Sequence, residues 1–209
     1  MTKRLVFQAN DGVTGAELWI TDGTAAGTQL VKDINPVNSA PNGFKALGTK
    51  VVFNATDGAN GLELWVTDGT SVGTKLFKDI NPGAANSNPL GFTALGNKLI
   101  FQASDVAHGR ELWVTDGTSA GTQLVKDINT GTGTSNPTDF KLLGNKLVFR
   151  ATDVTHGSEL WVTDGTSGGT QILKDIVSGA VGGSRSISRR SATRFSLLPK
   201  MALLATNCG

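Results

Sequence analysis

Short apolar runs rich in β-branched and aromatic residues recur along the chain, each bounded by Gly, Asn, Asp or Pro, and none carries a 3.6-residue apolar period of helical length. One stretch shows the pattern in full. Phe44–Leu47 is followed by Gly48-Thr49 and then by Lys50–Ala55. The loop Thr56–Gly61 precedes Glu63–Thr67, and the turn Asp68-Gly69-Thr70-Ser71-Val72-Gly73 leads into Thr74–Ile80 and a longer loop with Asn81-Pro82-Gly83. This predicts four short strands joined by tight turns.

The unit repeats. Trp19, Trp65, Trp113 and Trp161 lie 46, 48 and 48 residues apart, and the same spacing holds for Glu17, Glu63, Glu111 and Glu159 and for the Lys-Asp-Ile triplets beginning at Lys32, Lys78, Lys126 and Lys174. The two-residue deficit falls between Asp33 and Phe44, in a Pro/Asn/Ser stretch, and length variation of that kind marks a surface loop. Four strands per repeated unit predict an all-β fold, a β-propeller or open arc of four-stranded antiparallel blades with about four repeats of 46–48 residues. The predicted divisions are a partial first repeat of three strands (1–34), full repeats at 35–80, 81–128 and 129–176, and a flexible basic linker with a degenerate half-repeat at 177–209.

Two hairpin registers follow. The pairs Gly96-Asn97 and Gly144-Asn145 suit two-residue turns that need positive φ, which sets Phe44 opposite Phe53, Phe92 opposite Phe101 and Phe140 opposite Phe149. Symmetric closure of the Asp-Gly-Thr-x-x-Gly loop sets Glu17 opposite Lys32, Glu63 opposite Lys78, Glu111 opposite Lys126 and Glu159 opposite Lys174. Such cross-strand pairs contribute roughly 0.2–1 kcal/mol each, so an exposed Glu63 is expected to matter by about 1 kcal/mol or less.

The motif E-L-W-V-T-D-G-T at 63–70 and 111–118, with E-L-W-I-T-D-G-T at 17–24, resembles the bacterial ELWxxDGT repeat family across residues 3–176. That resemblance implies a surface-associated or secreted protein built from many such repeats and implies no established catalytic activity. The chain departs from the family pattern in being short and in its unlike tail.

Composition adds constraints. The 27 glycines among 209 residues fit many tight turns, and no apolar run approaches the roughly 18 residues of a membrane helix. The net charge of +2 belongs to the tail: Arg185, Arg189, Arg190, Arg194 and Lys200 lie there without an acid. Removing those five leaves 14 basic against 17 acidic residues, a net of −3, so no nucleic-acid partner is expected. The single cysteine, Cys208, excludes an intrachain disulfide. The start of the chain lacks an apolar signal region, so a cell-surface or extracellular location rests on the resemblance alone.

Candidate chemistry is sparse. The turns beginning Asp22-Gly23, Asp68-Gly69, Asp116-Gly117 and Asp164-Gly165 are placed like the Asp-box turns of sialidase-type propellers, and are either calcium loops or structural turns. Each offers one carboxylate, whereas calcium wants several oxygen ligands, which favours a structural turn and no metal. His108 and His156 occupy equivalent loop positions, but two histidines do not make a zinc site. Trp19, Trp65, Trp113 and Trp161 either stack on a sugar or fill the space between blades, and tryptophan's size favours the second.

Near-identical repeats do not converge different residue types on one point, so no catalytic set and no cofactor are expected. The expected function is a non-catalytic structural or binding scaffold for an unknown protein or glycan ligand. The alternatives are a lectin-like propeller and a divergent propeller hydrolase or lyase, which would carry a deep pocket with acids found in one blade only. Closure stays open. Phe195 in the tail is a candidate to lie opposite Phe7 and complete the first blade, the others being an open arc or two chains paired into a larger ring, and the tail itself is either a degraded repeat or foreign sequence.

Overall fold

Alternating in-and-out side chains and glycine-centred turns produce fifteen short strands, and no helix is present among the described residues. The structure, a computed structural model, describes residues 4–176 together with Ser178 and Gly179; the expectations for the tail, Phe195 opposite Phe7 included, lie outside them. Blade 1 contains β1 (Leu5–Asn10), β2 (Ala16–Thr21) and β3 (Gln29–Lys32). Blade 2 contains β4 (Asn42–Leu47), β5 (Lys50–Thr56), β6 (Leu62–Thr67) and β7 (Lys75–Lys78). Blade 3 contains β8 (Leu90–Leu95), β9 (Lys98–Asp105), β10 (Gly109–Thr115) and β11 (Gln123–Lys126). Blade 4 contains β12 (Thr138–Leu143), β13 (Lys146–Asp153), β14 (Gly157–Thr163) and β15 (Gln171–Lys174). Each blade is an antiparallel meander in sequence order, three-stranded in blade 1 and four-stranded in the others.

The first hairpin of each full blade follows the expected register from the turn as far as Lys45 with Val52, Thr93 with Ile100 and Lys141 with Val148, and beyond those pairs the register shifts. Leu95 pairs with Lys98 across Gly96-Asn97, and the positive φ falls on the glycine, 60° at Gly96 and 61° at Gly144. The phenylalanine rings meet as expected, with centroids 5.6 Å apart for Phe44 and Phe53, 5.2 Å for Phe92 and Phe101, and 5.5 Å for Phe140 and Phe149.

The Glu–Lys register is corrected. Near the Asp-Gly-Thr turn the pairing is as expected, Trp65 with Leu76, but a bulge between Leu64 and Trp65 moves Lys78 opposite Leu64 instead of Glu63. The same step puts Lys32 opposite Leu18, Lys126 opposite Leu112 and Lys174 opposite Leu160. A bulge inserts one residue on one strand only, and symmetric counting from the turn misses it. Glu17, Glu63, Glu111 and Glu159 are therefore buried inside the protein and are not members of exposed pairs.

The cores lie between blades, not within them. The trailing face of blade 1 (Leu18, Ile20, Val31, Ile34) packs on the leading face of blade 2 (Phe53, Ala55, Trp65). Val52, Leu64 and Ile80 of blade 2 meet Leu99, Phe101, Ala103 and Trp113 of blade 3, and blade 3 meets Leu147, Phe149, Ala151 and Trp161 of blade 4 in the same way. Successive side chains of a strand point to opposite faces, and in the middle strands both faces are apolar, as Val52 and Phe53 in opposite junctions show, so one blade cannot stand alone.

The innermost strands interlock by a small step. Gly43 and Gly91 hold φ of 71° and 76°, and a Cβ on either would come 3.2 Å from the ring of Phe92 or Phe140 in the next blade. Glycine is needed there for conformation and for room. At the equivalent place in blade 4 stands Asp139, with φ 60°.

Candidate functional site

The first polar cluster is the buried glutamate. Glu63 Oε2 accepts hydrogen bonds from the Ile80 amide (2.8 Å) and the Ser87 hydroxyl (2.6 Å), and Oε1 accepts one from the Ser87 amide (2.8 Å). Glu17 receives the same three from Ile34 and Ser39, and Glu111 receives them from Ile128 and Ser135 together with the Asn129 amide. Glu159 accepts from the Ile176 amide. Burial, the largest influence, raises the Glu63 and Glu111 carboxyls above their ordinary value, and the hydrogen bonds oppose it.

The serine also touches the following blade. The Ser39, Ser87 and Ser135 carbonyls accept from the amides of Thr56, Ser104 and Thr152. Glu17, Glu63 and Glu111 thus each tie their own blade to the linker that begins the next. The linker holds a strained residue beside the serine, with φ of 45° at Ala40 and 47° at Asn88 and Asn136, each directly before a proline.

The Asp-Gly-Thr turns are closed by their own groups. Asp68 Oδ1 accepts from the Thr70 amide and hydroxyl (2.9 and 2.7 Å), Thr70 Oγ1 accepts from the Gly73 amide (3.0 Å), and Thr67 and Thr74 share a hydroxyl hydrogen bond of 2.7 Å. The turns at Asp22, Asp116 and Asp164 repeat this set. Hydrogen bonds from the threonine hydroxyls, the largest influence, hold all four carboxyls below the usual carboxylate range. The last glycine of the motif is required for space: a Cβ on Gly73 would sit 2.0 Å from Asp68 Oδ1, and Gly27, Gly121 and Gly169 are alike. Among the described residues no three His, Cys, Asp or Glu side chains gather where a metal could be held. Adding Ca²⁺ is expected to leave the melting temperature unchanged in a thermal-shift titration. A saturable rise would show that the turns bind the ion, because a ligand that binds only the folded state stabilises it.

The two histidines are locks for their own loops. His108 Nδ1 lies 2.9 Å from Asp105 Oδ2 and His156 Nδ1 lies 2.8 Å from Asp153 Oδ2. Blades 1 and 2 fill the same position with neutral donors, Thr14 Oγ1 to Asp11 and Asn60 Nδ2 to Asp57. The hydrogen bond to the aspartate, the largest influence, raises both histidines above their ordinary value, and the charges of Asp127 and Glu111 add to it at His108, those of Asp175 and Glu159 at His156. A raised folded-state pKa gives stability that is full below the unfolded value of about 6.5 and is lost as pH rises through the folded value. The difference in melting temperature between the wild type and the double variant His108→Asn, His156→Asn is therefore expected to favour the wild type most at pH 6 and to shrink toward pH 8. Imidazole proton shifts followed by NMR should titrate above 6.5.

Trp65, Trp113 and Trp161 are buried at the blade junctions, and Trp19, on the leading face of blade 1, is half-buried. The indole N–H groups of Trp19, Trp113 and Trp161 have no acceptor.

A cavity of about 510 Å³ opens where the inner strands of three blades come together, lined by Gly43, Phe44 and Lys45 of β4, Gly91, Phe92 and Thr93 of β8, and Asp139, Phe140 and Lys141 of β12. It was not legible from the motifs, because its charged groups sit at positions where the repeats differ. Asp139 is the one carboxylate in the lining, with Arg150 Nε 3.7 Å away. The lining holds two ammonium groups, one carboxylate, three aromatic rings and a hydroxyl.

No family model and no curated protein matches the chain. Among solved structures it resembles a prolyl endopeptidase from a study of two such enzymes and of inter-domain dynamics in their catalysis and specificity. That match has a TM-score of 0.52 at 13% identity and covers 81% of this chain and 24% of the other. It also resembles the acylaminoacyl peptidase of Pyrococcus horikoshii, with a TM-score of 0.51 at 12% identity over 83% of this chain and 25% of the other. The chain spans about a quarter of the length of each. Likeness at this identity speaks for the fold alone, and the fold is an all-β arrangement of consecutive propeller-type blades.

Proposed function

We propose that the chain is a non-catalytic repeat module that acts as a structural or binding scaffold, of the kind that the ELWxxDGT resemblance implies, at a cell surface or outside the cell. The observation that supports this reading is where the motif's polar groups are spent. Glu17, Glu63 and Glu111 each accept three or four hydrogen bonds from linker donors, and each turn aspartate accepts from the amide and hydroxyl of its own turn's threonine. Contact with a ligand then falls to the positions that vary between blades, above all Lys45, Thr93, Asp139 and Lys141 around the cavity.

The test uses the full chain against peptide and glycoside substrates and on a glycan array. No turnover is expected. Turnover abolished by Asp139→Asn would overturn the scaffold reading in favour of a hydrolase or lyase. An array signal competed by free sugar would narrow the scaffold to a lectin-like one, with the cavity as its site.

A further inference from the structure

We propose that two copies of this chain associate head to tail, the trailing face of blade 4 in one copy seating the leading face of blade 1 in the other. The three internal junctions define what fits a trailing face: a Phe, an Ala and a Trp on the next blade. Blade 1 carries one more such set, Phe7, Ala9 and Trp19, with no blade against it among the described residues, and its Leu5 is 64% exposed where the equivalent Leu99 and Leu147 are fully buried. Blade 4 carries one more trailing face. Ile176 is 65% exposed where Ile34, Ile80 and Ile128 are buried, and Leu173 is 51% exposed where Val31 and Val125 are buried. Apolar side chains exposed here at positions that internal junctions bury point to a contact site.

Two details match knob to hole. Leu47 and Leu95 press on the turn glycines of the next blade, their side chains 3.1 and 3.4 Å from a Cβ placed on Gly117 and Gly165. Leu143, their equivalent in blade 4, is 67% exposed, while Gly23 of blade 1 has nothing within 4 Å of such a Cβ. The second detail is Asp139. Its counterparts Gly43 and Gly91 make room for the phenylalanine of the next inner strand, and blade 1 brings no such strand among the described residues. A junction with blade 1 therefore does not need glycine at 139, and an aspartate stands there with φ 60°.

Within one chain the inner contacts run from β1 to β4, β4 to β8 and β8 to β12, and none of comparable extent joins β12 to β1. The interface is heterologous, and a two-fold axis that applies it twice closes two four-blade arcs into one ring. Eight blades lie within the range that propellers adopt.

Sedimentation equilibrium of the full chain across about 1–100 μM tests the association. The expected mass is twice the 21.7 kDa of the chain, or a higher multiple where the head-to-tail contact runs on unclosed. A single-chain mass throughout that range overturns the proposal, and so assigns closure, if any, to one chain. Two variants test the polarity. Leu143→Glu with Ile176→Glu removes the trailing face, and Trp19→Glu removes the leading face; each alone is expected to sediment as one chain, and their mixture is expected to form a heterodimer through the one intact junction. Self-association of the Trp19→Glu protein, or no heterodimer from two folded variants, overturns the head-to-tail geometry. Leu5→Glu replaces Trp19→Glu should the latter lose its circular-dichroism signature.

Discussion

Glu63→Ala is expected to destabilise the protein by about 4 kcal/mol, because it strands two amides and a hydroxyl that are shut away from water, at roughly 1–3 kcal/mol each before relaxation. Glu63 has no exposed surface, and the Ile80 amide, Ser87 amide and Ser87 hydroxyl all point at its two oxygens. Urea unfolding at pH 7 measures the loss directly. Lys78→Ala supplies the contrast. Were the two residues a cross-strand ion pair, either truncation would cost the same small amount; with Lys78 opposite Leu64, the lysine change is expected to stay within about 0.5 kcal/mol. Ser87→Ala should fall between them, since it removes the hydroxyl donor but leaves the Ile80 and Ser87 amides bonded to the carboxylate. A loss at Glu63 no larger than that at Lys78 would reject the tie between blade and linker.

The strand pattern was legible because each cause of it is local. The short β-branched and aromatic runs around Phe53 and Trp65, bounded by turn residues, and the Gly96-Asn97 turn name the strands and the first hairpin without help from the rest of the chain. The bulge beside Trp65 was not legible, because nothing in the two residues it separates distinguishes them from a regular pair. Its signal lay farther off. Ser87 and Ser135 each stand 24 residues beyond a motif glutamate, and Ser39 stands 22 beyond, each just before a residue and a proline. A repeated serine in an otherwise variable linker, moving with a repeated glutamate, is what a buried tie leaves in a sequence. The last glycine of Asp-Gly-Thr-x-x-Gly illustrates a related gap. The motif names the residue, but only the structure shows that Gly73 is kept for the volume of the Asp68 carboxylate. The cavity and the two faces left without a blade among the described residues belong to the relation between blades. A single repeat read alone does not contain them.

Phe101→Ala is expected to cost about 3–5 kcal/mol, and Phe7→Ala at the same repeat position about 1 kcal/mol, when both are measured at low protein concentration. The two rings have the same neighbours along their strands, Phe101 opposite Trp113 and Phe7 opposite Trp19, so intrinsic strand preference does not separate them. Burial does. Phe101 is fully buried in the junction between blades 2 and 3 and lies 5.2 Å from the Phe92 ring, whereas Phe7 is half-buried on a face that meets no other blade and no phenylalanine ring among the described residues. Removing Phe101 also loosens the contact through which blade 3 supports blade 2, and in a stack held by nearest neighbours that lowers the cooperativity of unfolding along with the midpoint. The expected record is a shallower denaturant slope for Phe101→Ala and an unchanged slope for Phe7→Ala. Equal losses at the two positions would mean that stability resides within each blade and not at the junctions between them.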